Sequence, residues 1–302
     1  MTNQDMSGEF DFIYDEPVTR GLTTDYLDQH IISDFIEVSG RHCGIFGMSG
    51  SGKTQLSYML VPEFLNRNAT VAWFDTGKSS EVLKLLDFHD IHFIMLEGHD
   101  VEPRWVKGKE DYEKGITKTF VQDEDEAMAS IIKNTINIIC IRPFYTEPEE
   151  ASQHTAEFMK SLIEHAARYS LPDDMVLFLD ELQHIAPAQG YELNMAHKKA
   201  GTKLAHNIDQ LRSWGVRIVG MGQDWGKVLK SVRSQFPVLM IKRGVFFYKD
   251  DPHLSLFNSL WKALPDDRFV YVNSRKTFTE PIACPFYGDG KELGQLRYIK
   301  RS

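Results

Sequence analysis

Residues 42–54 read HCGIFGMSGSGKT, an apolar stub running directly into Gly47-Met48-Ser49-Gly50-Ser51-Gly52-Lys53-Thr54. This is the pattern GxxxxGK[ST], set between a short strand-like run and an apolar-periodic helix, GKTQLSYMLVPEFL, which is the context the pattern requires. Gly47, Gly50 and Gly52 let the backbone curl so that successive N–H groups point inward at phosphate oxygens. A helix starting near Lys53 adds the positive end of its dipole. In such a loop Lys53 reaches the β- and γ-phosphates of ATP and the Thr54 hydroxyl ligates Mg²⁺. The expected nucleotide contacts run from Gly47 through Met48, Ser49, Gly50, Ser51, Gly52, Lys53 and Thr54 to Gln55.

Further apolar runs follow at intervals: VAWFD (71–75), IHFIML (91–96), INIICI (136–141), VLFLDE (176–181), VRIVGMGQ (216–223) and VLMIKR (238–243). Continuous apolar character marks strands covered on both faces. Between them lie helical patterns, the clearest being EPEEASQHTAEFMKSLIEHAARYSLP, where Ala151, Phe158, Leu162 and Ala166 recur at helical spacing between Pro148 and Pro172. Strands alternating with helices predict a doubly wound α/β fold with a mostly parallel sheet and the phosphate loop at its edge. Residues 1–40 read as a short N-terminal extension, with a strand near Phe10–Tyr14 and a helix from Thr24 to about Glu37. The core spans 41–265, interrupted by a charged, weakly periodic surface excursion at 98–126, and 266–302 reads as a C-terminal β-hairpin extension packed on the core.

VLFLDE delivers two carboxylates to the carboxyl end of a buried strand. Asp180 is placed to hold Mg²⁺ through water, and Glu181 to polarise the water that attacks the γ-phosphate. A kinase must avoid water and has no use for that second carboxylate; a hydrolase does. Gln223 ends the strand VRIVGMGQ with an amide that can contact the γ-phosphate or the attacking water, or simply cap a helix. His184 lies three residues beyond Glu181, with no second ligand at metal spacing.

Composition narrows the partners. The formal net charge of −9 argues against a surface that grips nucleic acid everywhere. Local basic clusters remain: Lys198, Lys199 and Lys203 beside His197, then Lys227, Lys230 and Arg233 at spacings of three, which puts them on one face of an expected helix after Gln223. Either cluster reads as a solvated face or as a surface for DNA phosphates. Cys43, Cys140 and Cys284 are far apart in apolar stretches and read as buried thiols in a reducing compartment. The acidic N-terminus resembles no secretory or transit peptide, and no apolar run approaches the roughly 18 residues of a membrane span. A cytoplasmic or virion-associated protein is expected.

The order of these features resembles the HerA and FtsK superfamily of hexameric DNA-pumping ATPases, from about residue 42 to 285. The pieces are GMSGSGKT, VAWFDTGKSSE, INIICIRPFYTEPEE, VLFLDELQHIAP, LRSWGVRIVGMGQDW, SVRSQFPVLMIKR and RFVYVNSRKTFTEPIACP. Gly222-Gln223 stands where that superfamily has Thr-Gln or Ser-Gln, which keeps the amide and removes a hydroxyl. The compact core is similar to the genome-packaging ATPases of tailless DNA viruses.

The resemblance implies a RecA-like P-loop fold of the ASCE type. It implies a homo-oligomeric ring, a hexamer, with ATP between neighbours and double-stranded DNA held without sequence preference. It also implies an arginine acting in trans, with Arg212, Arg217, Arg233 and Arg243 as candidates. A capsid vertex or a membrane-associated machine is the expected docking partner. Two other jobs are compatible with the same core: a conjugation-type or DNA-processing motor, and an NTPase that switches or moves protein.

Overall fold

The computed structural model describes residues 27–37 and 41–301; the strand expected near Phe10–Tyr14 lies outside them. One sheet of ten strands organises the chain, in the order β11-β10-β9-β1-β8-β7-β2-β6-β3-β5. Its strands are β1 (Cys43–Phe46), β2 (Thr70–Phe74), β3 (Ile91–Leu96), β5 (Ile116–Val121), β6 (Ile136–Ile139), β7 (Met175–Leu179), β8 (Val216–Gly222), β9 (Val238–Ile241), β10 (Arg268–Val272) and β11 (Ile282–Ala283). From β9 to β5 every neighbouring pair is parallel. Only β10 and β11, at one end, run antiparallel. β4 (His99–Trp105) and β12 (Gly294–Lys300) form a separate antiparallel pair.

The helices are α1 (Leu27–Ile36, with wide π-type turns), α2 (Lys53–Leu65), α3 (Ser79–Leu83), α4 (Glu124–Ala129), α5 (Pro148–Ala167), α6 (Met195–Ser213) and the single turn α7 (Lys230–Arg233). They cover both faces of the sheet, and the strands show why. Period-two alternation splits β7: Leu177 and Leu179 pack with Phe158, Leu162, Leu204 and Ile208 of α5 and α6, whereas Val176 and Phe178 pack with Leu56 and Phe64 of α2 and Phe35 of α1. Both faces being dry, the strands read as unbroken apolar runs. Helix α5 buries Ala151, Phe158, Leu162 and Ala166, the four positions its spacing marks, and begins with Pro148, whose missing N–H costs nothing at a first helical position.

β1 is an interior strand between β8 and β9, which puts the phosphate loop at the carboxyl edge of the sheet. One segment differs from its expected form. The helix expected after Gln223 is not continuous: Leu229 takes an extended backbone (φ −52, ψ 128), leaving a 3₁₀ turn at Trp225–Lys227 and then α7. Residues 98–126 hold β4, β5 and the start of α4, and the stretch after 266 supplies β10 and β11 to the main sheet and β12 to β4.

Candidate nucleotide site

The order β1-β8-β7 places one strand between the phosphate loop and the acidic strand. Three carboxyl ends therefore converge: the loop after β1, Asp180-Glu181 after β7, and Gln223 after β8. A cavity of about 690 Å³ opens there, lined by the loop from Ser49 to Gln55 and by Lys78, Glu81, Glu181 and Gln223, with the tail segment around Phe286 on its rim.

The loop is shaped from its own sequence. Gly52 caps α2 in the left-handed region at φ 89, where a side chain would be strained. At Gly47 a Cβ would stand 2.5 Å from Lys242 Cβ and 2.5 Å from Ser51 Oγ, closer than any side chain tolerates. Backbone bonds tie the loop to its neighbours, Gly47 N–H to the Gly222 carbonyl at 3.2 Å and Met48 N–H to the Arg243 carbonyl at 2.8 Å. Lys53 Nζ donates to the carbonyls of Gly47 at 2.9 Å and Met48 at 3.1 Å. Burial first, and then the nearby Lys78 charge, hold its pKa below the ordinary lysine value.

The acid side is held by a residue that sequence reasoning passed over. Lys78, in the turn after β2, places Nζ 2.6 Å from Asp180 Oδ2 and 3.2 Å from Glu181 Oε1. Burial is the largest single influence and works against its charge, but Asp180, Glu81 and Glu181 together outweigh it and raise the Lys78 pKa. Glu81, at the start of α3, accepts the Thr54 hydroxyl at 3.0 Å, and burial raises its own pKa despite Lys78. Glu181 has a left-handed backbone at φ 52, a conformation costing a non-glycine residue roughly 1 kcal/mol. That kink turns its carboxylate toward Gln223, whose amide donates to both oxygens at 3.0 and 3.3 Å; Gln183 donates to it as well. Burial pushes Glu181 up, yet Lys78 and these amides hold it below the ordinary glutamate value. Lys53, Thr54, Glu181 and Gln223 thus share one cavity, with Asp180 behind them in contact with Lys78.

Thr54 and Asp180 offer oxygen donors, one hydroxyl and one carboxylate, which suits Mg²⁺, an ion that keeps several waters and takes few protein ligands. Among the described residues no group of three or more His, Cys, Asp or Glu is arranged for a metal, so the donor set fits an ion brought in with a nucleotide.

The tail closes the cavity on the side of α2. Gln55 donates from Nε2 to the Gly288 carbonyl at 3.0 Å and accepts the Tyr287 N–H at 2.7 Å. Asp75, at the end of β2, is buried and receives Tyr298 Oη at 2.7 Å and Gly77 N–H at 2.8 Å, which pins β12 to the same edge.

The arginine candidates separate by pairing. Arg217 is buried against Asp174, 2.5 Å away, and Arg233 is buried against Asp250. Arg243 pairs with Asp266 at 3.0 Å beside the phosphate loop. Arg212 is exposed at the end of α6, at the sheet edge opposite the cavity, and has no ion pair among the described residues. The basic clusters differ in the same way. Lys198 and Lys199 are exposed on α6, Lys203 is half-buried there, and none has an ion pair among the described residues. Lys227 pairs with Asp224 at 3.5 Å and Lys230 with Asp250 at 3.6 Å. Arg233 faces inward, so the expected shared face of Lys227, Lys230 and Arg233 does not form.

Residues 29–77 match the family model described as Helicase HerA, central domain. The match spans most of α1, β1, the phosphate loop, α2 and β2, so the resemblance read from the motifs has a match of its own over this part of the chain. No curated protein sequence matches. Among solved structures the chain is similar to B204, the DNA-packaging ATPase from Sulfolobus turreted icosahedral virus, at 14% identity over 81% of this chain and 98% of that one, with a TM-score of 0.47. It is also similar to the bacterial conjugative coupling protein TrwBdeltaN70, at 12% identity over 82% and 86% with a TM-score of 0.47. A third is the pCW3 conjugation coupling protein TcpA, at 14% over 82% and 61% with a TM-score of 0.42. The architecture is an α/β fold with a mostly parallel central sheet and a phosphate loop at its carboxyl edge, and no helix among the described residues is long and apolar enough to cross a membrane.

Proposed function

We propose that this chain hydrolyses ATP to move double-stranded DNA, without sequence preference, through a homo-oligomeric ring, and that its task is packaging a viral genome. The observation that carries the reading is the Glu181–Gln223 contact facing Lys53 and Thr54 across one cavity. A carboxylate at that place serves a water-activating step, and the amide at the end of the adjoining strand links its position to the backbone of β8. Packaging as the particular job rests on the motif order and not on the geometry.

Lys53 would hold the β- and γ-phosphates, and Glu181 would take a proton from the attacking water. Thr54 and Asp180 would hold Mg²⁺, which when bound spreads the charge that develops on the phosphates. To do so both must exchange partners, Thr54 leaving Glu81 and Asp180 leaving Lys78. Arg212, exposed and without an ion pair among the described residues, is the arginine available to a neighbouring subunit. Lys198, Lys199 and Lys203 are the cations available to DNA phosphates, a contact that reads no sequence.

Displacement of a third strand from a duplex track tests the reading. ATP-dependent displacement that stops in Glu181→Gln supports it. Robust hydrolysis without displacement, at concentrations where rings form, transfers the motor to a protein substrate.

A further inference from the structure

A second cavity, of about 310 Å³, adjoins the acid turn. Thr76, whose hydroxyl lies 3.5 Å from Asp180 Oδ2, and His184, three residues past Glu181, are on its wall. Arg142, just after β6, and His197, in the first turn of α6, line it too, together with Thr146 and Ser152 where α5 begins. The lining contains no carboxylate, although the chain carries a net charge of −9.

Each basic group there lacks a counter-charge in hydrogen-bond contact. Arg142 makes no side-chain hydrogen bond or ion pair among the described residues, and the pull it feels from Glu181, Asp180 and Asp75 comes from a distance. His197 is 3% exposed. Its Nδ1 accepts the Leu193 N–H at 3.2 Å, so in the neutral ring the proton sits on Nε2. That Nε2 is buried with no partner, the His184 carbonyl near it falling outside hydrogen-bond geometry. A buried donor left unpaired is unfavourable, and a ligand oxygen would satisfy it. Burial first, and mutual repulsion with Arg142 second, hold His184 below the ordinary histidine value. The first turn of the twenty-residue α5 brings the positive end of its dipole, beside the exposed Glu149 and Glu150 of the same turn, neither of which lines the cavity.

We propose that this second cavity is a binding site for a phosphate group, with Arg142 as the charged anchor and His184 and His197 as donors. A planar guanidinium with two imidazoles around a small cavity matches a tetrahedral oxyanion better than a cation or an apolar ligand. The phosphate has two sources in the proposed function: the DNA backbone, and the inorganic phosphate released by hydrolysis beside the same acid turn. The site itself stands whether or not the chain hydrolyses ATP.

The test is calorimetric titration of inorganic phosphate into protein already saturated with Mg²⁺ and a non-hydrolysable ATP analogue, which fills the phosphate loop. One phosphate per chain is expected, weakened at least tenfold by Arg142→Gln and by His184→Gln, both at solvent-reachable positions, with unfolding temperatures recorded for each variant. Prior addition of a short duplex that abolishes the phosphate heat assigns the site to DNA; an unchanged heat assigns it to free phosphate. No second phosphate, or binding equal in wild type and both variants, overturns the proposal. Failure of the analogue to bind counts against the ATPase reading, whereas a phosphate site lost in Arg142→Gln would still stand.

Discussion

Replacing Lys78 by alanine removes one ammonium from two carboxylates. Asp180 is the partner that suffers, since its side chain is 5% exposed and Lys78 is its only ion-pair partner among the described residues. A hydrogen bond to a charged group contributes about 1.5–3 kcal/mol when buried. Lys78 is 34% exposed, so solvent screens part of that, and Asp180 keeps the Glu181 N–H at 2.8 Å. The balance is a loss of about 2 kcal/mol, which for a chain of this size lowers the unfolding temperature by about 4 °C. The deficit should shrink when Mg²⁺ and an ATP analogue are added, because the ion supplies the positive charge that Lys78 gave Asp180. Differential scanning fluorimetry of wild type and Lys78→Ala, with and without Mg²⁺ and analogue, reads both effects. An unchanged unfolding temperature would refute the role given to Lys78. So would a deficit of the same size with and without ligand, which would make Lys78 a structural residue unconnected with the metal.

Two further outcomes follow from the same geometry. Glu181→Gln keeps the amide contact to Gln223 and the left-handed backbone but removes the base, so kcat should fall by about 10²–10⁴-fold with nucleotide affinity retained; equal loss of affinity in equilibrium binding would contradict the assignment. His42, buried between the Ile208 carbonyl at 2.7 Å and the Ile218 N–H at 3.0 Å, has its pKa lowered by burial to about 4. Since its unfolded pKa lies near 6.5, protons favour the unfolded chain: the contribution of His42 to stability is complete above about 6.5 and declines by up to about 3 kcal/mol as pH falls to 4. An imidazole ¹⁵N titration with its midpoint near 6.5 would contradict this.

The parts of the molecule legible in the sequence are those whose physics is local. β3 was bounded to the residue because IHFIML is apolar throughout and both its faces are covered. The cavity residues Lys53, Thr54, Glu181 and Gln223 were readable because each ends or follows such a run. Lys78 was not, because it is one of 34 basic residues and stands in a polar turn; only the parallel order β7-β2 brings that turn beside Asp180. The pairing of β4 with β12 joins His99 to Lys300 across most of the chain, and both strands are polar on one side, so no periodicity marked them as partners. The helix after Gln223 failed for a local reason: spacing by three was read as a helical face, whereas Arg233 serves a buried ion pair with Asp250.

The motor reading meets its most direct test in steady-state ATP hydrolysis with and without double-stranded DNA at low salt, comparing wild type with the double variant Lys198→Ala, Lys199→Ala. The account predicts that DNA raises the wild-type rate and that the double variant keeps the basal rate while losing the stimulation. Hydrolysis indifferent to DNA at ring-forming concentrations would contradict it.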